Sequence, residues 1–471
     1  MDRARRLFNK LAPPPAKADD GRDQWSSRFS FILASCSGVV GMGNLLRYPW
    51  TVYNNSGLQF FILYLLAVFL LAIPALALEV TAGNAFRGGI VTAYNKISRR
   101  IRGIGFSLNY IGLVVTIYFV PIISWGIVYF QKSITSPLPW AGNTENYFIY
   151  EVVSAVNPEE EGAWVVYPGV ALDGRLVGWN AFTFFIVWLC IFRGVGLTGR
   201  VVYFSLGLPI AIGVVLIGRG VSLPNATDRI RMYFASWNGE RLSETRIWQD
   251  AVGQVFYSTG VGFGFYTAYA SYNREAANSC QDAVIIACVN ATFEVILTFV
   301  VFGIVGFLGI TPESTGVIGS YSIGFMTYPE AFVRMPASNF FHSPFAILDA
   351  IITLIMDSPF TKRWGRPWVA TALNVVCFLL SLPNYTQFGY WYLDGCIVTT
   401  TAYRYKDVVG QVGLPSFALY NAGYLGGQLI GIITRHTAGR IAGLGEKAGD
   451  DANEGMRQEE ALVAESSGSR A

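Results

Sequence analysis

The stretch Ser35-Cys36-Ser37-Gly38-Val39-Val40-Gly41-Met42-Gly43-Asn44 sits inside the apolar window Phe29–Tyr53 and places three glycines and an asparagine at mid-membrane depth. Glycine costs about 1 kcal/mol against alanine in a helix interior. Backbone that leaves the helix at that depth survives only where it is buried in protein or lines a cavity. The signature returns at Tyr257-Ser258-Thr259-Gly260-Val261-Gly262-Phe263-Gly264, within the window Ala251–Tyr272. From the glycines alone two readings stand side by side: close packing of ordinary helices, or two broken helices whose freed carbonyls face a ligand. The two windows are the first and sixth apolar spans, which is the spacing of a five-helix inverted repeat with unwound first helices.

A span needs about 20 mostly apolar residues. Beside those two, the windows are Phe60–Phe86, Ile104–Phe130, Gly178–Phe192, Val201–Ile217, Ala283–Leu308, Phe345–Phe360, Val369–Leu382, Phe388–Thr400 and Val412–Ile433. Several late ones are short for a straight crossing. The chain has 471 residues, 52% hydrophobic and 14% charged, against roughly 25% charged in soluble domains. A soluble multidomain enzyme and a disordered chain are both excluded, and a net charge of +3 does not point to nucleic acid. The six cysteines lie in or beside apolar stretches without metal-like spacing, so neither a disulfide framework nor a zinc site is expected. The expected fold is all-α, a polytopic membrane helix bundle. Residues 1–28 form an N-terminal segment, 29–433 the transmembrane domain and 434–471 a polar tail. No signal peptide is expected, because the N-terminus is polar and basic.

Orientation follows from basic residues in short loops. Arg3, Arg5, Arg6, Lys10, Lys17, Arg22 and Arg28 precede the first span, and Arg87, Lys96, Arg99, Arg100 and Arg102 follow the second without an acid. Both segments are expected in the cytoplasm. The loop after the third span, with Glu145, Glu151, Glu159, Glu160 and Glu161, is expected outside, as is the weak glycosylation sequon at Asn225.

Trp25-Ser-Ser-Arg28, Ile32-Leu33-Ala34 and Val40-Gly41-Met42-Gly43-Asn44-Leu45-Leu46-Arg47-Tyr48-Pro49 resemble the opening of the neurotransmitter:sodium symporter family. Further likenesses lie at Ile73-Pro74 and Glu79, Ile117-Tyr118 to Trp125, Val221-Ser-Leu-Pro224, Gln254 to Asn273, Asn290 to Glu294 and Met356-Asp357-Ser358. The resemblance implies a LeuT-like bundle that carries a small solute with sodium ions by alternating access across a bilayer, at the plasma membrane. It implies one sodium site from the Val39 carbonyl, Asn44, Ser258 and Asn290, and a second from the carbonyls of Ser37, Val40 and Leu354 with Asp357 and Ser358. These are oxygen donors, which suit a hard cation. Monoamine carriers hold an aspartate where this chain has Gly41, so the resemblance points to a solute with its own carboxylate, held by the amides of Met42 and Gly43 at a half-helix start. Val115, Phe119, Tyr257, Gly260 and Phe263 would line the pocket. Phe119 departs from the family's tyrosine, which removes a hydrogen bond worth about 1.5–3 kcal/mol to a charged group.

Glu294 is an intramembrane carboxylate, which is costly and usually functional. By resemblance it supplies the negative charge that chloride supplies in chloride-dependent relatives, so chloride independence is expected. Arg47 and Asp394 match an outer gate pair; Arg22 and Trp25 match an inner latch. The chain also departs from the family. Thr361-Lys362-Arg363-Trp364-Gly365-Arg366-Pro367 follows Ser358 almost at once and cannot continue a membrane helix cheaply. The tenth and twelfth helices look shortened or missing. Three readings are open: a carrier with short late helices, a relative that keeps the fold as a sensor or interaction partner, and an incomplete splice or gene model of a carrier.

Overall fold

A computed structural model of the chain describes residues 15–18, 21, 23–41, 43–55, 57–155, 169, 171–191, 194–235, 237–274, 277–309, 323–334, 366–387 and 389–390. Among the described residues, five helices are long and apolar enough to cross a membrane, and a bent pair makes a sixth span. The bent pair is α1 (Arg28–Val39) and α2 (Tyr48–Asn54), joined through a π-turn over Gly43–Arg47. The break bends the span by 48°. Ser27 caps α1 by accepting from the Ser30 amide, and Pro49 opens α2, where its missing N–H costs nothing.

The second span, α3 (Leu58–Phe86), is one path of 29 residues. Pro74 cannot donate a backbone hydrogen bond, and the turn before it, Val68–Ala72, widens to a π-turn. Phe69 and Leu70 stand exposed on its flank, as side chains facing lipid do. A short amphipathic helix, α4 (Ile90–Ile97), leads to α5 (Arg102–Lys132). Then come α6 (Gly174–Ile191) and α7 (Val195–Val221). The sixth span is split into α8 (Thr245–Thr259) and α9 (Phe265–Ala270), and α10 (Ser279–Leu308) follows. The window at Val369–Leu382 is observed as α11 (Arg366–Ser381), continued by a 3-10 turn to Tyr385. Apart from Gly389 and Tyr390, the windows Phe345–Phe360, Phe388–Thr400 and Val412–Ile433, and the tail, lie outside the described residues.

The fourth span starts four residues before its apolar window. Asp173 causes this: its Oδ1 accepts from the amides of Arg175 (2.8 Å) and Leu176 (3.3 Å), and its Oδ2 accepts from the Ser154 hydroxyl (2.7 Å). Helix α6 therefore reaches 18 residues, or about 27 Å, close to a bilayer core of about 30 Å. Burial opposes the charge on Asp173, but the Ser154 hydroxyl, the two amides and the Arg175 guanidinium outweigh it and hold the carboxyl below its usual range.

The break in the sixth span is set by Gly260, Gly262 and Gly264, with φ of +65°, +90° and +82°. These are left-handed conformations that L side chains rarely adopt. At Gly264 space is also short: a Cβ would lie 2.7 Å from Ile90 Cδ1 and 3.1 Å from Leu108 Cβ. At Gly83 a Cβ would fall 2.2 Å from the Thr267 carbonyl oxygen, which lets α3 and α9 meet backbone to backbone.

Two outcomes follow. Gly264→Ala should cost about 1–3 kcal/mol, read as a lowered unfolding midpoint in detergent. Asp173 has a depressed folded pKa, so its capping contribution is present above the unfolded value and is lost as pH falls through the folded one. Asp173→Asn should keep most of the cap at neutral pH and flatten the acid-side loss of stability.

Candidate ion and solute site

The last four carbonyls of a helix have no intrahelical partner. In α1, which ends at Val39, these include the carbonyls of Ser37 and Val39; that of Val40 follows directly. Past the break the chain presents Asn44, fully buried. Its Oδ1 accepts from the Gly41 amide (2.9 Å), and its Nδ2 donates to Asn290 Oδ1 (2.7 Å). Asn290 in turn donates from Nδ2 to Ser258 Oγ (3.1 Å). Thus three of the expected sodium-site side chains, from the first, sixth and seventh spans, meet in one buried chain of hydrogen bonds. Of the second expected site, Ser37 and Val40 lie at the same break, with Ser37 Oγ 3.1 Å from Ser205 Oγ. Leu354, Asp357 and Ser358 lie outside the described residues, as do Met42, Arg22 and Asp394.

Val115 lies in the main apolar core, and Phe119, Tyr257 and Phe263 pack against that core partly buried. Gly260 brings Phe265 close, with a Cβ at 260 falling 2.6 Å from its ring. Gly41 is half-buried at the edge of the first break.

Glu294 is fully buried one helical turn beyond Asn290. Gln254 donates from Nε2 to Glu294 Oε1 (2.6 Å), and the hydroxyls of Tyr64 and Ser258 stand beside the carboxylate. The other end of the Gln254 amide accepts from Arg47 Nη1 (2.7 Å), and Arg47 also donates to the Gly253 carbonyl (3.3 Å). Its guanidinium sits 4.7 Å from the centre of the Tyr257 ring. One neutral amide therefore links the buried acid to the cation above the pocket.

On the other side of the break, Trp25 donates from its indole to the Tyr269 carbonyl (2.8 Å) and from its backbone to the Tyr272 carbonyl (3.0 Å). Arg28 pairs with fully buried Asp282 at 2.7 Å and donates to Gln281 Oε1 at 2.8 Å. These contacts bind the start of the first span to the sixth and seventh.

Sequence reasoning gave no role at the site to three contributors, although Glu79 and Gln254 figured among the likenesses to the family. Glu79 Oε1 accepts from the Gly262 amide at 2.7 Å, holding the sixth-span break from α3. Its signal was available, since it is a carboxylate inside an apolar window, the same ground that singled out Glu294. Gln254 and Tyr64 gave no comparable signal, because an amide or a phenol in an apolar run is ordinary.

Residues 22–165 and 169–402 match the family model described as the sodium:neurotransmitter symporter family. This chain belongs to that family. Among its relatives, the rat sodium- and chloride-dependent GABA transporter 2 is 30% identical over 409 residues, 78% of this chain and 68% of the relative. The human sodium- and chloride-dependent taurine transporter is 31% identical over 374 residues, 73% of this chain and 60% of the relative. The crystal structure of MhsT in complex with L-phenylalanine matches with a TM-score of 0.70 at 22% identity, covering 88% of this chain and 90% of that one. The fold is therefore the LeuT-like helical bundle expected from the broken spans. The protein is a multi-pass, sodium-coupled solute symporter and not an enzyme.

Asn44→Ala and Ser258→Ala each remove one oxygen from the buried chain. Both should raise the sodium concentration for half-maximal uptake before they reduce the amount of protein in the membrane, read by uptake against sodium titration with surface quantification. Asp282→Asn should loosen the inner contacts, and an engineered cysteine below the pocket should then react faster with a water-soluble thiol reagent.

Proposed function

We propose that this symporter carries an amino acid or a related small solute with its own carboxylate, coupled to sodium and independent of chloride, at the plasma membrane. The observation that carries the reading is the Glu294 carboxylate, held by Gln254 at 2.6 Å and one turn from Asn290. A buried negative charge beside a cation site supplies the charge balance that an anion would otherwise provide. A chloride ion in the same place would face like charge at close range, which at an effective dielectric of about 20 costs several kcal/mol.

The solute class rests on Gly41. No side-chain anion stands there, so a solute amine would meet no carboxylate from the first span. A solute carboxylate would meet the backbone amides of Met42 and Gly43 at the start of the second half of the span, where the helix dipole favours an anion. GABA, for which the rat relative is named, has such a carboxylate. Phe119 removes a tyrosine hydroxyl from that end of the pocket, which favours weaker carboxylate binding or help from Tyr257. Sodium would bind the carbonyl and amide oxygens at the first break together with Ser258 and Asn290, and would hold the first, sixth and seventh spans together. The second ion site, with Leu354, Asp357 and Ser358, belongs to the same proposal.

The test is radiolabelled amino-acid uptake in proteoliposomes. Replacing sodium by choline should abolish uptake, and replacing chloride by gluconate should leave it unchanged. Loss of uptake in gluconate overturns the role of Glu294. Glu294→Gln should raise the sodium requirement by roughly an order of magnitude or more, since a charge a few Å from the ion is worth a few kcal/mol at an effective dielectric of about 20.

A further inference from the structure

The loop between the second and third spans carries a cluster of charge that the solute site does not use. Between Glu79 and Glu145 the chain has no carboxylate, and Lys96, Arg99, Arg100 and Arg102 fall within seven residues. All four side chains are exposed. None of the four forms an ion pair with a carboxylate among the described residues. Lys96 donates to the Phe86 carbonyl (2.9 Å), the last residue of α3, and the Arg102 guanidinium lies 5.2 Å from the Phe106 ring centre. Beside these cations, Ile97, Phe106 and Tyr110 are 41%, 48% and 56% exposed. The other face of the segment is buried: Ile90 and Tyr94 of α4 pack with Leu108 of α5 and Ala268 of α9.

An exposed basic cluster next to exposed aromatic rings, at the cytoplasmic end of a membrane helix, matches a headgroup layer that is negative on one side and apolar on the other. A soluble anion would satisfy the cations and leave the rings in water; a phospholipid satisfies both. We propose that the α4–α5 junction binds anionic phospholipid headgroups of the cytoplasmic leaflet. The site also bears on the sixth-span break. Ile90 packs directly over Gly264, where a Cβ would lie 2.7 Å from its Cδ1. Lipid that steadies α4 therefore steadies the residue stacked on that break.

The full chain, placed in nanodiscs of phosphatidylcholine with and without phosphatidylserine, provides the test. Native mass spectrometry reads retained phosphatidylserine, and hydrogen exchange reads peptides over 260–268. Wild type should retain phosphatidylserine and exchange more slowly there when it is present. Arg99→Gln/Arg100→Gln should lower retention about fivefold per charge and lose the slowing, with an unchanged unfolding midpoint in phosphatidylcholine. Arg231→Gln/Arg241→Gln, which removes the same charge from the outer loop, should behave as wild type. Equal retention in the α4–α5 variant, or equal loss in the outer-loop variant, overturns the site. Protection by inorganic phosphate equal to that by phosphatidylserine overturns the lipid as its ligand. Retention without slower exchange overturns the link to the break.

Discussion

A backbone that leaves the helix inside a bilayer has no water to bond to, and each open polar group there costs several kcal/mol. The whole core of this protein answers that constraint. At the sixth-span break the Gly262 amide is taken by Glu79 Oε1 (2.7 Å), and the Thr259 carbonyl by the Tyr266 hydroxyl (2.6 Å). At the first-span break the Gly41 amide is taken by Asn44 Oδ1 (2.9 Å). Side chains stand in for the bonds of the missing helical turns. The glycines permit the breaks; Glu79, Tyr266 and Asn44 make them affordable.

The same side chains then acquire a second role. Asn44 holds its own break through Oδ1 while its Nδ2 reaches Asn290, which reaches Ser258. An ion that draws on any of these oxygens must rearrange a chain that spans three helices. That is a physical route from ion binding to helix position, because the groups that would bind the ion are the groups that fix the break. Electrostatics runs in parallel. Glu294, Gln254 and Arg47 form a line from buried acid through neutral amide to cation, with links of 2.6 and 2.7 Å. The amide separates the two charges and bonds to both.

Much of this was legible in the sequence, for definite reasons. The breaks announced themselves because glycine has few reasons to cluster at mid-helix, and the φ values of +65°, +90° and +82° at 260, 262 and 264 are the reason it does. Asn44, Ser258 and Asn290 were readable only through the resemblance to the symporter family, whereas Glu294 also stood out as an ionisable group in an apolar window. The start of α6 was not readable, because its signal is Asp173 with a donor, Ser154, from a distant turn of loop. The task of Glu79 was equally hidden: its partner Gly262 is 183 residues away, and no local pattern encodes that distance. For Arg47 the sequence directed attention to Asp394, outside the described residues, while the structure adds Gln254, Gly253 and Tyr257 as neighbours.

The first span is tied by a cation at its inner end and by another at its broken turn. Arg28, at its inner end, pairs with Asp282 of the seventh span, and Arg47, the last residue of the broken turn, bonds to Gln254 of the sixth. These ties differ in kind. The inner one is an ion pair with one partner fully buried, strongly costly to break from one side only, and Trp25 reinforces it with two hydrogen bonds. The outer one runs to the Gln254 amide, the Gly253 carbonyl and the Tyr257 ring, and the same cation acts on the carboxyls of Glu294 and Asp250. The span bent by 48° is therefore held through a charged contact at its inner end and another at its broken turn, and Asn55 adds a further bond to Asp250 at 3.0 Å. Separating Arg28 from Asp282 would leave a fully buried carboxylate without its cation, so the inner contact cannot open without a compensating gain elsewhere.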